Sequence, residues 1–190
     1  MANIQAPNGF RAVRRIDGAA LNFLTNVRLI ASNDTTPIGY GDPVTSLNTG
    51  YITRSTAGTT TISGIFMGCE YYDTSQQKWM YMPNWPGTST TSGEIRAYIT
   101  NDVNVVFEAQ SNGTAIGLAD IGANINFVIG SPNTSGISTT ALNQSTINTT
   151  ATLPFRIVGI STRVGTDPTS SYNWAEVVLN NADFKTTTGV

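Results

Sequence analysis

Apolar and polar residues alternate with a period close to two through much of the chain, which is the spacing of β-strands. The strongest such signal runs over residues 58–72. Lys78–Met82 follows after a turn-forming segment, so the two stretches predict a β-hairpin. Eight to ten short strands fit the whole pattern, and no segment has a useful length of helical periodicity. Helix is therefore expected only as single turns.

The second half of the chain continues the same pattern. Residues 94–100 and 103–109 flank a short turn and predict a second hairpin. Residues 153–160 and 172–179 predict the last two strands. The stretch 130–152 is rich in Ser, Thr and Asn, and predicts a long loop with weak strands that reaches over a neighbouring copy.

The first 18 residues carry several turn formers and no sustained strand pattern, and they predict an extended N-terminal arm. Residues 19–190 then form the β-rich domain. The fold class that follows is all-β, with a single β-sandwich, jelly-roll or small barrel-like domain behind the arm. Removal of the arm is expected to leave that domain folded.

Composition supports this fold class and narrows the function. Thr and Ser make up 44 of the 190 residues and Asn another 18, whereas charged residues are only 12%. Thr favours strands, while Ser and Asn favour turns. The net charge of −2 and the pI of about 4.9 argue against nucleic-acid binding.

The residue types needed for most catalytic and metal sites are missing. The chain has no histidine, and Cys69 is its only cysteine. An internal disulfide, the common zinc sites and a histidine-dependent nucleophile are therefore excluded. Cys69 lies inside the strongest strand and is predicted to be a small buried apolar residue. No glycine pattern predicts phosphate binding, and no cofactor, metal or small-molecule substrate is expected.

Carboxylates could still hydrolyse a glycosidic bond without histidine. Nothing in their spacing singles out a pair, so a carboxylate-dependent glycan hydrolase remains only an alternative. The candidate acids are Glu70, Asp73, Glu94, Asp102, Glu108 and Glu176.

Several aromatic residues are grouped in the middle of the chain and could form a platform on which sugars stack. The alternation of Trp79 and Tyr81 with Met80 and Met82 favours instead an ordinary strand with two faces. Trp85 differs because it lies between Asn84 and Pro86 in a predicted loop, where it is a candidate interface anchor. The residues considered for a platform are Tyr71, Tyr72, Trp79, Tyr81 and Trp85.

The arm carries three arginines, and Asp17 is its only acid. A tether to an acidic partner surface and a solvated basic tail both fit this pattern. In a tether, neighbouring apolar residues would supply most of the binding through burial, because exposed ion pairs contribute little. The predicted partner contacts are Phe10, Arg11, Val13, Arg14, Arg15, Ile16 and Trp85.

Four short segments, read together, resemble tailed-bacteriophage virion proteins of the head-decoration type. In that group a GDPV turn precedes a glycine-flanked strand, an FE-x-Q strand follows, and an Asn-Asn segment lies near the C terminus. None of these motifs is catalytic. The segments are residues 38–44 (IGYGDPV), 63–71 (SGIFMGCEY), 105–110 (VVFEAQ) and 177–184 (VVLNNADF).

The resemblance implies a capsid decoration, or cement, protein rather than an enzyme. Such a protein is made in the host cytoplasm and binds the major capsid protein on the outside of the shell, often as a homotrimer that bridges capsomers. Neither a cleaved leader nor a membrane span is expected, because residues 1–30 hold no apolar stretch of signal-peptide length. The alternative in the same particle is a receptor-binding, fibre-tip or carbohydrate-binding β module, and copy number separates the two.

Overall fold

In a computed structural model of the chain, residues 2–22, 24–88, 91–164 and 166–185 are described. Within them the chain forms twelve strands and two single turns of 3₁₀ helix, at Leu118–Asp120 and Asp183–Lys185, so the prediction of a β fold with helix only as single turns is confirmed. No helix among these residues is long and apolar enough to cross a membrane. The strands are β1 (Arg11–Arg15), β2 (Thr25–Ile30), β3 (Pro43–Ser46), β4 (Ile52–Arg54), β5 (Gly64–Asp73), β6 (Lys78–Met82), β7 (Thr91–Thr100), β8 (Val105–Gln110), β9 (Asn124–Val128), β10 (Ala141–Asn148), β11 (Phe155–Ile160) and β12 (Trp174–Leu179).

The strands assemble into two antiparallel sheets of six. Sheet A has the order β1-β8-β12-β11-β9-β10. Sheet B has the order β2-β7-β5-β3-β4, and β6 pairs with the second half of β5. Both sheets curl, because β2 contacts β4 in sheet B and β10 contacts β8 in sheet A. The predicted sandwich or barrel-like architecture is thus confirmed as two curled sheets, each enclosing apolar side chains.

The core of sheet A is built around three phenylalanines. Phe10 stacks on Phe155 with ring centroids 4.3 Å apart, and Phe127 meets both rings edge-on. Strands β8, β9, β11 and β12 contribute the inward-facing apolar residues around them. Ile65 at the start of β5 also joins this core, so sheet B closes one side of it.

Sheet B encloses a second core. The residue after Ile65 on β5, Phe66, belongs to this cluster, so the start of β5 is the wall shared by the two cores. Two loop residues, Ile38 and Trp85, are hydrogen-bonded to each other through their backbones and close the cluster. The indole N–H of Trp85 donates to the carbonyl of Asp34 at 3.1 Å. Strand alternation therefore supplies both sides of β5 with apolar residues where the sheets meet.

The first predicted hairpin is confirmed and the second is wrong. Strands β5 and β6 pair from Asp73 and Lys78 to Cys69 and Met82. Strands β7 and β8 do not pair, because β7 lies between β2 and β5 in sheet B, whereas β8 lies between β1 and β12 in sheet A. The turn between them carries the chain from one sheet to the other. Periodicity identified both strands but contains no information about their partners.

The segment 130–152, predicted as a long loop with weak strands, holds one regular strand of eight residues, so its loop is shorter than expected. Strand β10 occupies most of its second half and forms an edge of sheet A beside β9. Its first half packs against the loop that contains Asp42, whose buried carboxylate accepts hydrogen bonds from Ser138 and from Thr140, the latter at 2.7 Å. The same carboxylate accepts a hydrogen bond from the backbone N–H of Gly39 at 2.8 Å. The polar residues of this segment thus find partners within the same chain.

The N-terminal segment is extended, as expected, but it lies on the β domain. Strand β1 is the edge of sheet A, paired with β8. Before it, the side chain of Gln110 accepts a hydrogen bond from the N–H of Ala6 and donates one to the carbonyl of Ile4, both at 2.9 Å. After it, the N–H of Ile16 donates to Asn104 at 2.8 Å. The segment is therefore integrated into sheet A.

Candidate binding face

Two of the residues predicted to contact a partner are buried inside the protein itself. Phe10 and Trp85 are both fully inaccessible to solvent. Phe10 fills the core of sheet A, and Trp85 packs edge-on against Tyr71 in the core of sheet B, with ring centroids 5.2 Å apart. Their predicted role as surface anchors is corrected. A large aromatic residue in a loop can pack into the core of its own domain or contact a partner at the surface, and the sequence pattern is the same in both cases.

Two of the three arginines of the N-terminal segment meet carboxylates of their own chain. Arg14 donates to Glu176 at 2.6 Å, and Arg15 pairs with both Asp17 and Asp102. The side-chain hydrogen bonds to these two aspartates raise the pKa of Arg15 above its usual range. Charged residues on an edge strand also discourage pairing with another chain. Arg14 and Arg15 thus have partners within the domain.

The remaining predicted contacts lie on the surface. Arg11 is exposed, and Val13 and Ile16 are 40% and 55% exposed. Val13 is located at an irregularity in the pairing of β1 with β8. Together with Arg14, whose side chain is 48% exposed, these residues form the part of the predicted contact set that is open to a partner.

Two of the candidate acids do come together, on the outer side of sheet A. Glu108 of β8 and Glu176 of β12 are directly opposite each other in the strand register. Each is engaged by an arginine, since Arg163 donates to Glu108 at 3.0 Å and Arg14 to Glu176. Ser161 also donates to Glu108. This arrangement is that of an ion-pair network, whereas acid catalysis of glycoside cleavage needs a carboxyl group free to deliver a proton.

Cys69 is buried in the core of sheet B, as predicted, and its thiol lies 3.4 Å from the carbonyl of Asn84. Burial raises the pKa of this thiol to about 12, which keeps it in the unreactive protonated form. Within the described ranges, no group of three or more His, Cys, Asp or Glu side chains is placed to hold a metal ion.

The most distinctive surface of the protein is an aromatic face on the outside of sheet B. Alternation along β6 directs Met80 and Met82 into the core and leaves Trp79 and Tyr81 outside, so the predicted two-faced strand is confirmed. Trp79 is 55% exposed and Tyr81 is 67% exposed. The neighbouring strands β5 and β7 add residues on the same side. The aromatic face comprises Glu70, Tyr72, Trp79, Tyr81, Arg96 and Tyr98.

A glycine provides the space in which Tyr81 lies against the sheet. A Cβ atom at Gly68 would be 3.3 Å from the hydroxyl oxygen of Tyr81 and 3.0 Å from the carbonyl oxygen of Met82. Gly68 also has φ of +134°, which other residues rarely adopt. The ring of Tyr81 therefore extends over the backbone of β5 toward Tyr98, and the two ring centroids are 6.0 Å apart.

Polar groups connect the two exposed rings through the middle of the aromatic face. The hydroxyl of Tyr98 donates to Glu70 at 2.9 Å, and Arg96 donates to the other carboxylate oxygen of Glu70 at 3.2 Å. The guanidinium of Arg96 in turn lies 5.4 Å from the ring centre of Trp79. The hydrogen bond to Glu70 raises the pKa of Tyr98, so its hydroxyl keeps its proton at neutral pH.

Sequence reasoning found only part of this face. It considered Trp79, Tyr81 and Tyr72, but also Trp85 and Tyr71, which are in the core. It missed the contribution of β7, because the partner of β5 was unknown. The alternation of Arg96 and Tyr98 with the buried Ala97 was the available signal that both face outward.

Comparison of the chain with protein-family models, with curated proteins and with solved structures finds no match.

Proposed function

We propose that the protein is a structural component of a tailed-bacteriophage virion that binds the outer surface of the capsid as a homotrimer and bridges neighbouring capsomers. The observation that carries the proposal is that the four segments resembling head-decoration proteins, although dispersed in the sequence, form one continuous unit. They contribute β3 and β5 at the centre of sheet B, and β8 and β12 at the centre of sheet A.

Direct contacts join each of these segments to the next. The N–H of Gly41 donates to the carbonyl of Phe66 at 2.8 Å, which connects residues 38–44 to residues 63–71. The hydroxyl of Ser63 donates to Asp183 at 2.6 Å, and Val177 pairs with Phe107 across β12 and β8. The resemblance therefore falls on the scaffold that defines the fold, which supports a shared architecture better than isolated surface motifs would.

The surface chemistry supports assembly in many copies. The chain carries a net charge of only −2, so neighbouring copies repel one another weakly. Many weak contacts distributed over a shell add up through multivalency, and a protein that spans two capsomers opposes their separation. The exposed residues Val13 and Ile16 at the β1 edge are the apolar contacts that we assign to the capsid.

The test is attachment to heads that lack the protein. Particles produced without it are mixed with purified protein, and the occupied sites and copy number are measured by cryo-electron microscopy and quantitative mass spectrometry. Hundreds of copies on the head, and less DNA release on heating, would support decoration. A dozen or so copies on the tail would instead identify a receptor-binding or fibre-tip part and contradict the proposal.

The β1 edge is tested with two substitutions at equally exposed positions. Ile16→Asp should weaken attachment, whereas Val27→Asp on β2 of sheet B should not, and both residues are 55% exposed. Equal attachment of the two variants would exclude the β1 edge as the contact.

A further inference from the structure

We propose that the aromatic face is a binding site in its own right and that it binds a neutral polysaccharide chain. This proposal is independent of where on a virion the protein is located. It rests on the exposed rings of β6, on the charged side chains of β5 and β7 beside them, and on how the rings and the charged side chains are placed relative to one another.

Trp79 and Tyr81 present two exposed rings from successive outward-facing positions of one strand. Their Cα atoms are two residues apart, which corresponds to about 7 Å along the strand. An extended chain of sugars that runs along β6 can therefore place successive rings on both side chains. The apolar faces of sugar rings stack on aromatic rings, and the latter lose little conformational freedom because they have only two side-chain torsions.

The polar groups beside the rings match the hydroxyl groups of a sugar. Arg96 presents several N–H donors in a plane, and Glu70 presents acceptor lone pairs beyond those already used by Arg96 and Tyr98. A sugar hydroxyl both donates and accepts, so it can bridge the two. Because one positive and one negative group cancel, the face has no net preference for an anionic ligand.

The arrangement fits a carbohydrate better than a protein partner. Protein interfaces have an apolar centre and a polar rim. Here a charged pair lies within the face, because Glu70 is directly across from Tyr81 in the strand register, Arg96 is across from Glu70, and the guanidinium is 5.4 Å from the ring centre of Trp79. A protein partner would have to bury this ion pair at the centre, which is costly. A hydrated, hydroxyl-rich chain leaves it partly solvated.

The site is tested by native affinity electrophoresis in gels that each contain one soluble neutral polysaccharide: hydroxyethyl cellulose, xylan, galactomannan or dextran. Wild-type protein should be retarded in at least one of them. Trp79→Ala and Tyr81→Ala should each weaken the retardation about ten-fold, and Trp79→Phe should retain most of it. Phe184→Ala is the matched control, since Phe184 is 52% exposed outside the aromatic face. Far-UV circular dichroism verifies that each variant is folded.

Three results would overturn the proposal. Wild-type protein that is not retarded by any of the four polysaccharides would exclude a neutral-glycan site. Retardation of Trp79→Ala and Tyr81→Ala equal to wild type would place the site elsewhere. Loss of attachment to capsids in these two variants, without any polysaccharide binding by the wild type, would make the aromatic face a protein contact.

Discussion

Replacing Phe10 by Ala is expected to destabilise the whole protein, although Phe10 belongs to a segment whose sequence predicts a separate arm. The ring of Phe10 is fully buried and stacks on Phe155. Its backbone N–H donates to the carbonyl of Gly41 at 2.9 Å, which fixes the backbone that carries the ring. The substitution would leave a cavity among the phenylalanines that the curled sheet cannot easily fill.

The size of the effect follows from this burial. Removing a buried phenylalanine side chain costs about 3–5 kcal/mol through lost transfer free energy and the cavity left behind. The total free energy of unfolding of a typical domain is only about 5–15 kcal/mol. For a chain of this length, 1 kcal/mol lowers the melting temperature by about 2–4 °C. The variant should therefore melt roughly 6–20 °C below wild type.

Urea unfolding followed by tryptophan fluorescence measures the loss in free energy of unfolding, because Trp85 and Trp174 are buried and report on the folded state. A thermal melt with the same signal gives the shift in melting temperature. Ile16→Ala is the control within the same segment, and it should cost less than about 1 kcal/mol because Ile16 is 55% exposed. If Phe10→Ala and Ile16→Ala are equally stable, the N-terminal segment is not part of the core. By the same argument, deletion of residues 1–18 should unfold or strongly destabilise the domain, contrary to the expectation from sequence.

Three further predictions concern single polar groups. Asp42→Asn should lower the free energy of unfolding by about 1–3 kcal/mol in urea titrations, because its amide cannot accept from every donor that now faces the buried carboxylate. Cys69 should not react with iodoacetamide at pH 8 until the protein is unfolded, as mass spectrometry of the alkylated protein would show, since its pKa is raised to about 12. Hydrogen bonds from Thr169 and Ser170 lower the pKa of Asp167 from 3.8 to about 2. Its contribution to stability should therefore be present above pH 3.8 and be lost as the pH falls toward 2, so the stability difference between wild type and Asp167→Asn should shrink over that range.

Part of the candidate site could be predicted, and the part that could not depended on strand pairing. The outward direction of Trp79 and Tyr81 followed from their alternation with two methionines. Their neighbours on the face did not, because Arg96 and Tyr98 lie on β7, which follows β6 in the sequence but is separated from it in the sheet by β5. The burial of Trp85 was equally hidden, since it depends on pairing with Ile38 across nearly fifty residues of sequence.

The alternation and turn residues of the sequence are sufficient to predict a β protein with helix only as single turns, the hairpin of β5 and β6, and the burial of Cys69. These are local properties, because alternation, turn residues and β propensity act over a few neighbouring residues. Long-range packing is what assigns β7 and β8 to different sheets, places Phe10 in a core and forms an aromatic face from three strands. Contacts between distant strands depend on which apolar surfaces fit together, and the alternation of each strand is compatible with many partners.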